Sequence, residues 1–364
     1  MTIATVFSGI GAPETAAKRV FGEFKTLFAC EIDKFARQSY LANHDEPESF
    51  YADVCELDGS KYKGQIDILI GGSPCQDFSI AGARAGESGE RGSLIWQFYR
   101  VVSEARPSIF VYENVKGFLS INHGKSYQRF LEALRNLGYH CYADVINTKD
   151  YGIPQNRERI YIVGFLDSEL YHSFCFAPKQ PLELNLGDML DSRVDEKYYL
   201  SQKMIAAHTK HKDKFNGKFG IKSPGDVANT LQTTQGARRT DNFIKVIGEL
   251  DIKGKDCIKR VYDVDGIAPT IHTAQGGNQE PKILQPISSS SFQENNLLNN
   301  GAKIRKLTPR ECLRLQGFRD DEFKIVVSDT QAYKQAGNAM SVNVLEMIFR
   351  QILKAQEKKF KLGA

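Results

Sequence analysis

Cys75 carries the sharpest chemical signal in this chain. It sits in Gly71-Gly72-Ser73-Pro74-Cys75-Gln76, directly after the apolar run Ile66 to Ile70, so a rigid proline after two glycines presents it at the carboxyl end of a strand. A thiol there serves either as a thiolate nucleophile or as ordinary buried filler. Three carboxylates, Glu31, Asp53 and Glu113, follow other apolar runs. In a doubly wound sheet such positions point into the ligand crevice, or else they cap helices. Phe7-Ser8-Gly9-Ile10-Gly11 allows close backbone approach at a helix start and fits a cofactor loop or a plain tight turn. Glu14 stands where a dinucleotide fingerprint wants its third glycine, which disfavours pyrophosphate. In Gln155-Asn156-Arg157-Glu158-Arg159 two alternate arginines share one strand face, as anion contacts or as common surface ion pairs. Ala81 to Gly92 holds four glycines with Arg84 and Arg91, a flexible cationic stretch suited to closing over a polyanion or simply a mobile loop.

These residues need a scaffold, and the first half of the chain supplies one. Strands are expected at Ile3 to Phe7, Thr26 to Cys30, Ile66 to Ile70 and Ile109 to Tyr112. Helices are expected at Pro13 to Phe21, at Lys34 to Ala42 behind an Asp33 cap, at Leu94 to Ala105 and at Ser126 to Leu137. Tyr139 to Ile146 and Arg159 to Phe165 leave no room for a helix between them and read as an edge hairpin. The result is an α/β, doubly wound, mainly parallel sheet covered on both faces. After about Pro178 glycine, lysine, threonine and glutamine replace the aliphatic runs, as in a smaller, loop-rich second domain. There Ala228-Asn229-Thr230-Leu231-Gln232-Thr233-Thr234-Gln235-Gly236 recurs as Ala268-Pro269-Thr270-Ile271-His272-Thr273-Ala274-Gln275-Gly276, two similar strand–loop units. Thr308-Pro309-Arg310-Glu311 is a capping box, Gly317 suits the far end of its helix, and Val342 to Phe360 places Leu345, Ile348, Phe349 and Ile352 on one face for docking on the sheet. The domains are expected to be 1–178 with 328–364, and 179–327.

With 364 residues, 41% hydrophobic and 25% charged, the chain has the composition of a globular protein rather than a disordered or collagen-like one. No apolar run is long enough to span a bilayer and no basic segment precedes the first strand, so a cytoplasmic location is expected. Seven scattered cysteines without a Cys-x-x-Cys pair exclude a disulfide framework and disfavour structural metal. The formal charge of +4 is an average: Lys197 to Arg260 holds 14 Lys/Arg against 6 Asp/Glu, and the remainder 34 against 38.

Together, Phe7 to Gly11, Glu31, Asp53, Gly72 to Gln76, Glu113-Asn114-Val115, Gln155-x-Arg157-x-Arg159, Arg305 to Gly317 and Gly337-Asn338-Ala339 resemble the DNA (cytosine-5)-methyltransferases of bacterial or phage type, restriction-linked or orphan. The resemblance covers nearly the whole chain. It implies a Rossmann-like S-adenosylmethionine-dependent sheet and a target-recognition domain. Phe7, Gly9, Gly11, Val54 and Pro74 would line the S-adenosylmethionine site, Glu31 would take the ribose, Asp53 the adenine amino group and Asn338 the methionine end. Ile32 replaces a tryptophan that some members stack on adenine, and an aliphatic contact covers the same face.

By the same resemblance Cys75 would attack cytosine C6, Glu113 would serve N3 and the exocyclic amine, Arg159 would bind O2, and Arg157 would hold Arg159 or nearby backbone. The base must leave the duplex first. Gln76, Arg84, Arg91, Thr230, Gln232, Gln235, Arg238, Arg239, Thr270, Thr273 and Gln275 would contact double-stranded DNA. The implied enzyme is a monomer without a metal, and in restriction-linked members a cognate endonuclease acts on the same site without touching it. An RNA-methylating branch, a non-catalytic binding protein and a Rossmann dehydrogenase are the alternatives. They are opposed in turn by the roughly 125 residues between Pro178 and Lys303, by the intact Pro-Cys-Gln and Glu-Asn-Val, and by Glu14.

Overall fold

β-Branched and aliphatic runs that are hydrophobic at every position, rather than at alternate ones, must be covered on both faces, and this requirement shapes the N-terminal half. The computed structural model describes residues 1–74, 93–199, 246–249, 260–262, 264–271, 280–285 and 303–363. Seven strands form the main sheet: β1 (Thr2–Val6), β2 (Lys25–Cys30), β3 (Ser49–Tyr51), β4 (Ile68–Gly71), β5 (Ile109–Val115), β6 (His140–Asn147) and β7 (Glu158–Phe165). Their order is β3-β2-β1-β4-β5-β7-β6. The first five are parallel, and β7 runs antiparallel between β5 and β6. The expected edge hairpin is therefore present, with β6 at the rim. β3 was not expected; it is three half-buried residues long, too short to leave a periodic signal.

The strand order reverses between β1 and β4, because β2 and β3 lie on one side of β1 while β4 and β5 lie on the other. The carboxyl ends at that reversal form the crevice where open α/β sheets bind ligands. The loop after β1 carries Phe7 to Gly11, and the loop after β4 carries Gly72 to Pro74.

The helices follow their caps. α1 (Ala12–Phe21) starts on Gly11 in the left-handed region, with proline and Glu14 in its first turn. α2 (Lys34–Asn43) is capped by Asp33, whose carboxylate accepts from Phe35 N and Ala36 N. α3 (Ser93–Ala105), α4 (Lys125–Asn136) and α5 (Ser168–Ser173) follow among the described residues up to 199.

Toward the C-terminus come α6 (Pro309–Arg314), α7 (Asp329–Asn338) and α8 (Val342–Gly363). Leu345, Ile348, Phe349 and Ile352 of α8 are fully buried, and the Phe349 ring lies 5.2 Å from that of Phe21. No helix among the described residues is long and apolar enough to cross a membrane.

The second half adds a four-stranded sheet, ordered β11-β10-β9-β8, from β8 (Val246–Glu249), β9 (Arg260–Tyr262), β10 (Lys282–Gln285) and β11 (Lys303–Lys306). Sequence alone showed no such sheet, since its strands are three or four residues each. It is tied to α6 by a buried ion pair. Arg305 Nη1 and Nη2 each donate at 2.8 Å to one oxygen of Glu311, both side chains being wholly buried. Glu311 also accepts from Thr308 N at 2.7 Å, closing the expected capping box, and from Asp191 N at 2.8 Å. Leu186, Met189, Tyr262, Ile271, Ile283, Leu307, Leu313 and Phe318 share a buried cluster with Ile3, Ile68 and Val163 of the main sheet. Apolar packing is thus continuous from the large sheet into the 179–327 segment.

Candidate active site

The loop after β1 adopts a conformation that L side chains rarely take. Phe7 has φ 56°, Gly9 58° and Gly11 84°, and the turn they make at the start of α1 is closed internally, Ser8 N donating to Cys30 O at 2.9 Å and Gly11 N to Ser8 O at 3.0 Å. Glu31, just past β2, fixes this turn: Oε2 accepts from Gly9 N at 2.8 Å and Oε1 from Asp33 N at 2.8 Å. Burial raises its carboxyl above the ordinary value, against the pull of those two amides.

His44 supports the loop from α2's end, its Nε2 lying 3.0 Å from Ile10 O. Burial depresses the imidazole to about 4, so the ring is neutral near pH 7 and its Nε2–H donates to the carbonyl. A Cβ at Gly11 would run into this ring. Gly11→Ala therefore suffers both a left-handed backbone, roughly 1–2 kcal/mol, and displacement of a hydrogen-bonded ring, roughly 1–3 kcal/mol. A loss of about 2–5 kcal/mol in stability is expected on thermal unfolding; a melt indistinguishable from wild type would contradict this packing.

Beneath the loop, Glu14 is buried on the first turn of α1. Its Oε1 accepts from Thr5 Oγ1 at 2.7 Å and Tyr40 OH at 2.9 Å, while Oε2 has no hydrogen-bond partner. Burial pushes the carboxyl from 4.5 up to about 7. Folding then takes up a proton between these values. The native state is unpenalised below pH 4.5 and loses stability as pH rises toward and through 7, by about 3 kcal/mol in full. Glu14→Gln should accordingly be more stable than wild type at pH 8 and nearly equal to it at pH 5, read by urea titration at both. A difference that does not change with pH would contradict the assignment.

Across the crevice, β5 brings Glu113 to the same place. Phe7, Gly9, Gly72, Glu113, Asn338 and Met340 are among the residues lining one cleft. Gly72 is there because of space: a Cβ would stand 2.9 Å from both Glu113 Oε2 and Glu113 O, and 2.8 Å from Met340 Cε. Glu113 Oε1 meets Arg159 Nε at 3.2 Å, both side chains being largely buried. Successive β5 residues face opposite ways. Tyr112 and Asn114 accordingly form a separate network: Ser73 Oγ to Tyr112 OH at 2.8 Å and Asn114 Nδ2 to Tyr112 OH at 2.8 Å. This buried network pins the loop that leads to Pro74 and Cys75. Sequence reasoning gave Ser73, Tyr112 and His44 no role, although Asn114 lies inside the Glu-Asn-Val motif.

Other predicted site residues lie elsewhere. Arg157 is buried and grips main chain: Nη2 donates to Ala339 O at 2.9 Å, and both Nη atoms reach Gly337 O at 3.4 Å. It is a positioning residue, not one facing the cleft. Asp53 caps a short 3-10 turn through Cys55 N at 2.9 Å. The Val54 side chain is buried in the core and its carbonyl accepts from Arg100 Nη2 at 2.6 Å, so it is not directed at the cleft. Ile32 is 73% exposed just past β2, and Pro74 is exposed beyond β4.

Thr270, expected to contact DNA, has its hydroxyl donating to Asn156 O at 2.7 Å. Cys75, Gln76, Arg84, Arg91, Thr230, Gln232, Gln235, Arg238, Arg239, Thr273 and Gln275 lie outside the described residues.

The model of the C-5 cytosine-specific DNA methylase family matches residues 1–354. An orphan methyltransferase, M.Rho11sI of Bacillus phage rho11s, is 30% identical over 97% of this chain and 98% of its own length. The type II methyltransferase M.NlaX of Neisseria lactamica is 34% identical over 96% of this chain and 95% of its own. The solved structure of the Entamoeba histolytica methyltransferase EhMeth superposes with a TM-score of 0.70 at 16% identity, covering 97% of this chain and 98% of that one, which shows a shared fold. The chain belongs to the C-5 cytosine-specific DNA methylase family and is a DNA cytosine methyltransferase.

Proposed function

We propose that this enzyme transfers a methyl group from S-adenosylmethionine to C5 of a cytosine flipped out of a specific duplex DNA sequence, through a covalent bond between Cys75 Sγ and cytosine C6. The observation carrying this reading is that the loop after β1 and the carboxylate of β5 line one cleft. A ligand held by the first therefore lies beside chemistry performed by the second. The Phe7 to Gly11 turn, with Glu31 accepting from Gly9 N and Asn338 lining the same cleft, fits a small polar cofactor, which supplies an electrophilic methyl on sulfur.

Cytosine C5 is a poor nucleophile until something adds at C6. Cys75 attacks C6 as the thiolate, forming the S–C6 bond and driving the ring's electron pair toward N3. Glu113 faces N3 and the exocyclic amine, and Arg159, paired with Glu113 at 3.2 Å, holds O2. C5 then bonds the methyl carbon as that carbon's bond to the cofactor sulfur breaks, the C5 proton passes to a water acting as base, and the C–H electron pair rebuilds the C5–C6 double bond and expels the Cys75 thiolate. Arg157 keeps Gly337 to Ala339 in place around Asn338. The basic stretch from Lys197 to Arg260, with Arg238 and Arg239, and the Arg84 and Arg91 loop neutralise phosphates. Gln76, Gln232, Gln235, Thr273 and Gln275 are the candidate side chains for base contacts.

Incubation with methyl-labelled S-adenosylmethionine and either unmethylated duplex DNA or tRNA tests the reading. Label in DNA, mapped by bisulfite sequencing to one short motif, is expected. Label confined to tRNA, or no transfer, would overturn it.

A further inference from the structure

The 264–271 segment does not merely adjoin the β6–β7 turn; it is hydrogen-bonded into it. Asn156 N donates to Ala268 O at 2.8 Å, Ala268 N to Pro154 O at 2.7 Å, and Thr270 Oγ1 to Asn156 O at 2.7 Å. From there the side chain of Asn156 points inward, its Oδ1 accepting from Asn147 Nδ2 at 2.7 Å. Asn147 Oδ1 in turn accepts from Arg157 N at 3.1 Å. The Arg157 guanidinium holds the carbonyls of Gly337 and Ala339 on either side of Asn338, which lines the cleft. Asn147 and Arg157 are buried, so these bonds are not shared with bulk water and a shift at one end is transmitted to the other.

We infer that Asn156 is a positioning residue that couples the DNA-recognition segment to the cofactor cleft, so that engaging duplex DNA tightens cofactor binding. The inference rests on the function proposed above. The recognition side follows a stretch with 14 basic against 6 acidic residues, which fits a polyanion, and Thr270 adds a side-chain contact to Asn156 beside the two main-chain bonds of Ala268. A ligand that fixes 264–271 fixes the turn, and with it the carbonyls flanking Asn338. By linkage, bound cofactor must tighten DNA by the same factor.

The test measures S-adenosylhomocysteine affinity by calorimetry, with and without saturating mixed-sequence unmethylated duplex DNA. In wild type DNA should tighten binding roughly fivefold or more. Asn156→Leu, which removes the acceptor for Asn147, should bind the cofactor product but lose the tightening. Asn156→Asp, which keeps an acceptor oxygen, should retain it. Thr270→Val, which removes the side-chain bond at the outer end and leaves the two main-chain bonds of Ala268, should reduce it and serves if the Leu variant does not fold. Equal tightening in wild type and in the folded Leu or Val variant would overturn the inference, as would wild-type binding indifferent to DNA. Failure of wild type to bind S-adenosylhomocysteine at all would instead overturn the cofactor assignment.

Discussion

Cys75→Ser is expected to lower methyl transfer by a factor on the order of 10³ or more while leaving S-adenosylhomocysteine affinity within about threefold of wild type. The effect is large because the reaction begins with a nucleophile adding to an unactivated ring carbon. A thiolate is accessible near neutral pH, and a serine alkoxide is not. None of the described cysteines lines the cleft. Cys30 and Cys141 are buried and their thiols are pushed up to about 12, and burial raises Cys312 well above the ordinary value. Cys55 is exposed, yet its thiol is raised by partial burial and by Asp53 beside it. Single-turnover kinetics with labelled cofactor, alongside calorimetry, checks both halves. A serine variant that still turned over at a tenth of the wild-type rate would remove Cys75 from the mechanism.

The largest effect on stability is expected at Glu311→Ala, about 3–5 kcal/mol. Glu311 satisfies four donors from three places in the chain: both Nη atoms of Arg305 on β11, Thr308 N at the start of α6, and Asp191 N in the connection from the main sheet. Removing the carboxylate leaves a buried guanidinium without its counter-charge, which costs far more than the pair contributes relative to an apolar replacement. The double substitution Arg305→Met with Glu311→Leu should therefore recover most of the loss. Urea unfolding of the two variants makes the comparison. A Glu311→Ala variant within 1 kcal/mol of wild type would show that the pair does not organise this junction.

These two residues mark where sequence reading succeeds and where it stops. Glu311 was legible as the third position of a capping box, because Thr308-x-x-Glu311 acts over one helical turn. Its partner Arg305 was not legible as a partner, because that contact depends on β11 being paired to β10. The main sheet was readable for the same local reason: Asp33 caps α2, Pro13 and Glu14 open α1, and the edge hairpin follows from the absence of helix-length chain between its strands. Short strands such as β3 and β9 leave no period to read.

In the candidate site, the glycine loop, Glu31, Glu113 and Asn338 were singled out from strand ends and motif resemblance, and Phe7, Gly9, Glu113 and Asn338 line one cleft. What could not be read was direction. Arg157 and Arg159 share a strand face by spacing, yet one guanidinium turns to the carbonyls of Gly337 and Ala339 while the other meets Glu113. Thr270 looks like a polar loop residue, and its hydroxyl is committed to Asn156 O, 114 positions away in sequence. Gly72 reads as one of two glycines before the proline that presents Cys75, and its reason is the 2.9 Å left for the Glu113 carboxylate. Each of these depends on long-range packing that no local pattern encodes.

The most direct test of the central claim is to replace cytosine in the substrate duplex by 5-fluorocytosine and add S-adenosylmethionine. After methyl transfer the fluorine cannot leave C5 as a proton does, so the S–C6 bond cannot be broken by elimination and the enzyme should remain attached to DNA. The predicted result is a denaturant-stable protein–DNA adduct that requires the cofactor and whose modified peptide, by mass spectrometry, carries the nucleotide on Cys75. Methylation of ordinary duplex DNA with no adduct on the fluorinated one, or an adduct at another residue, would contradict the account.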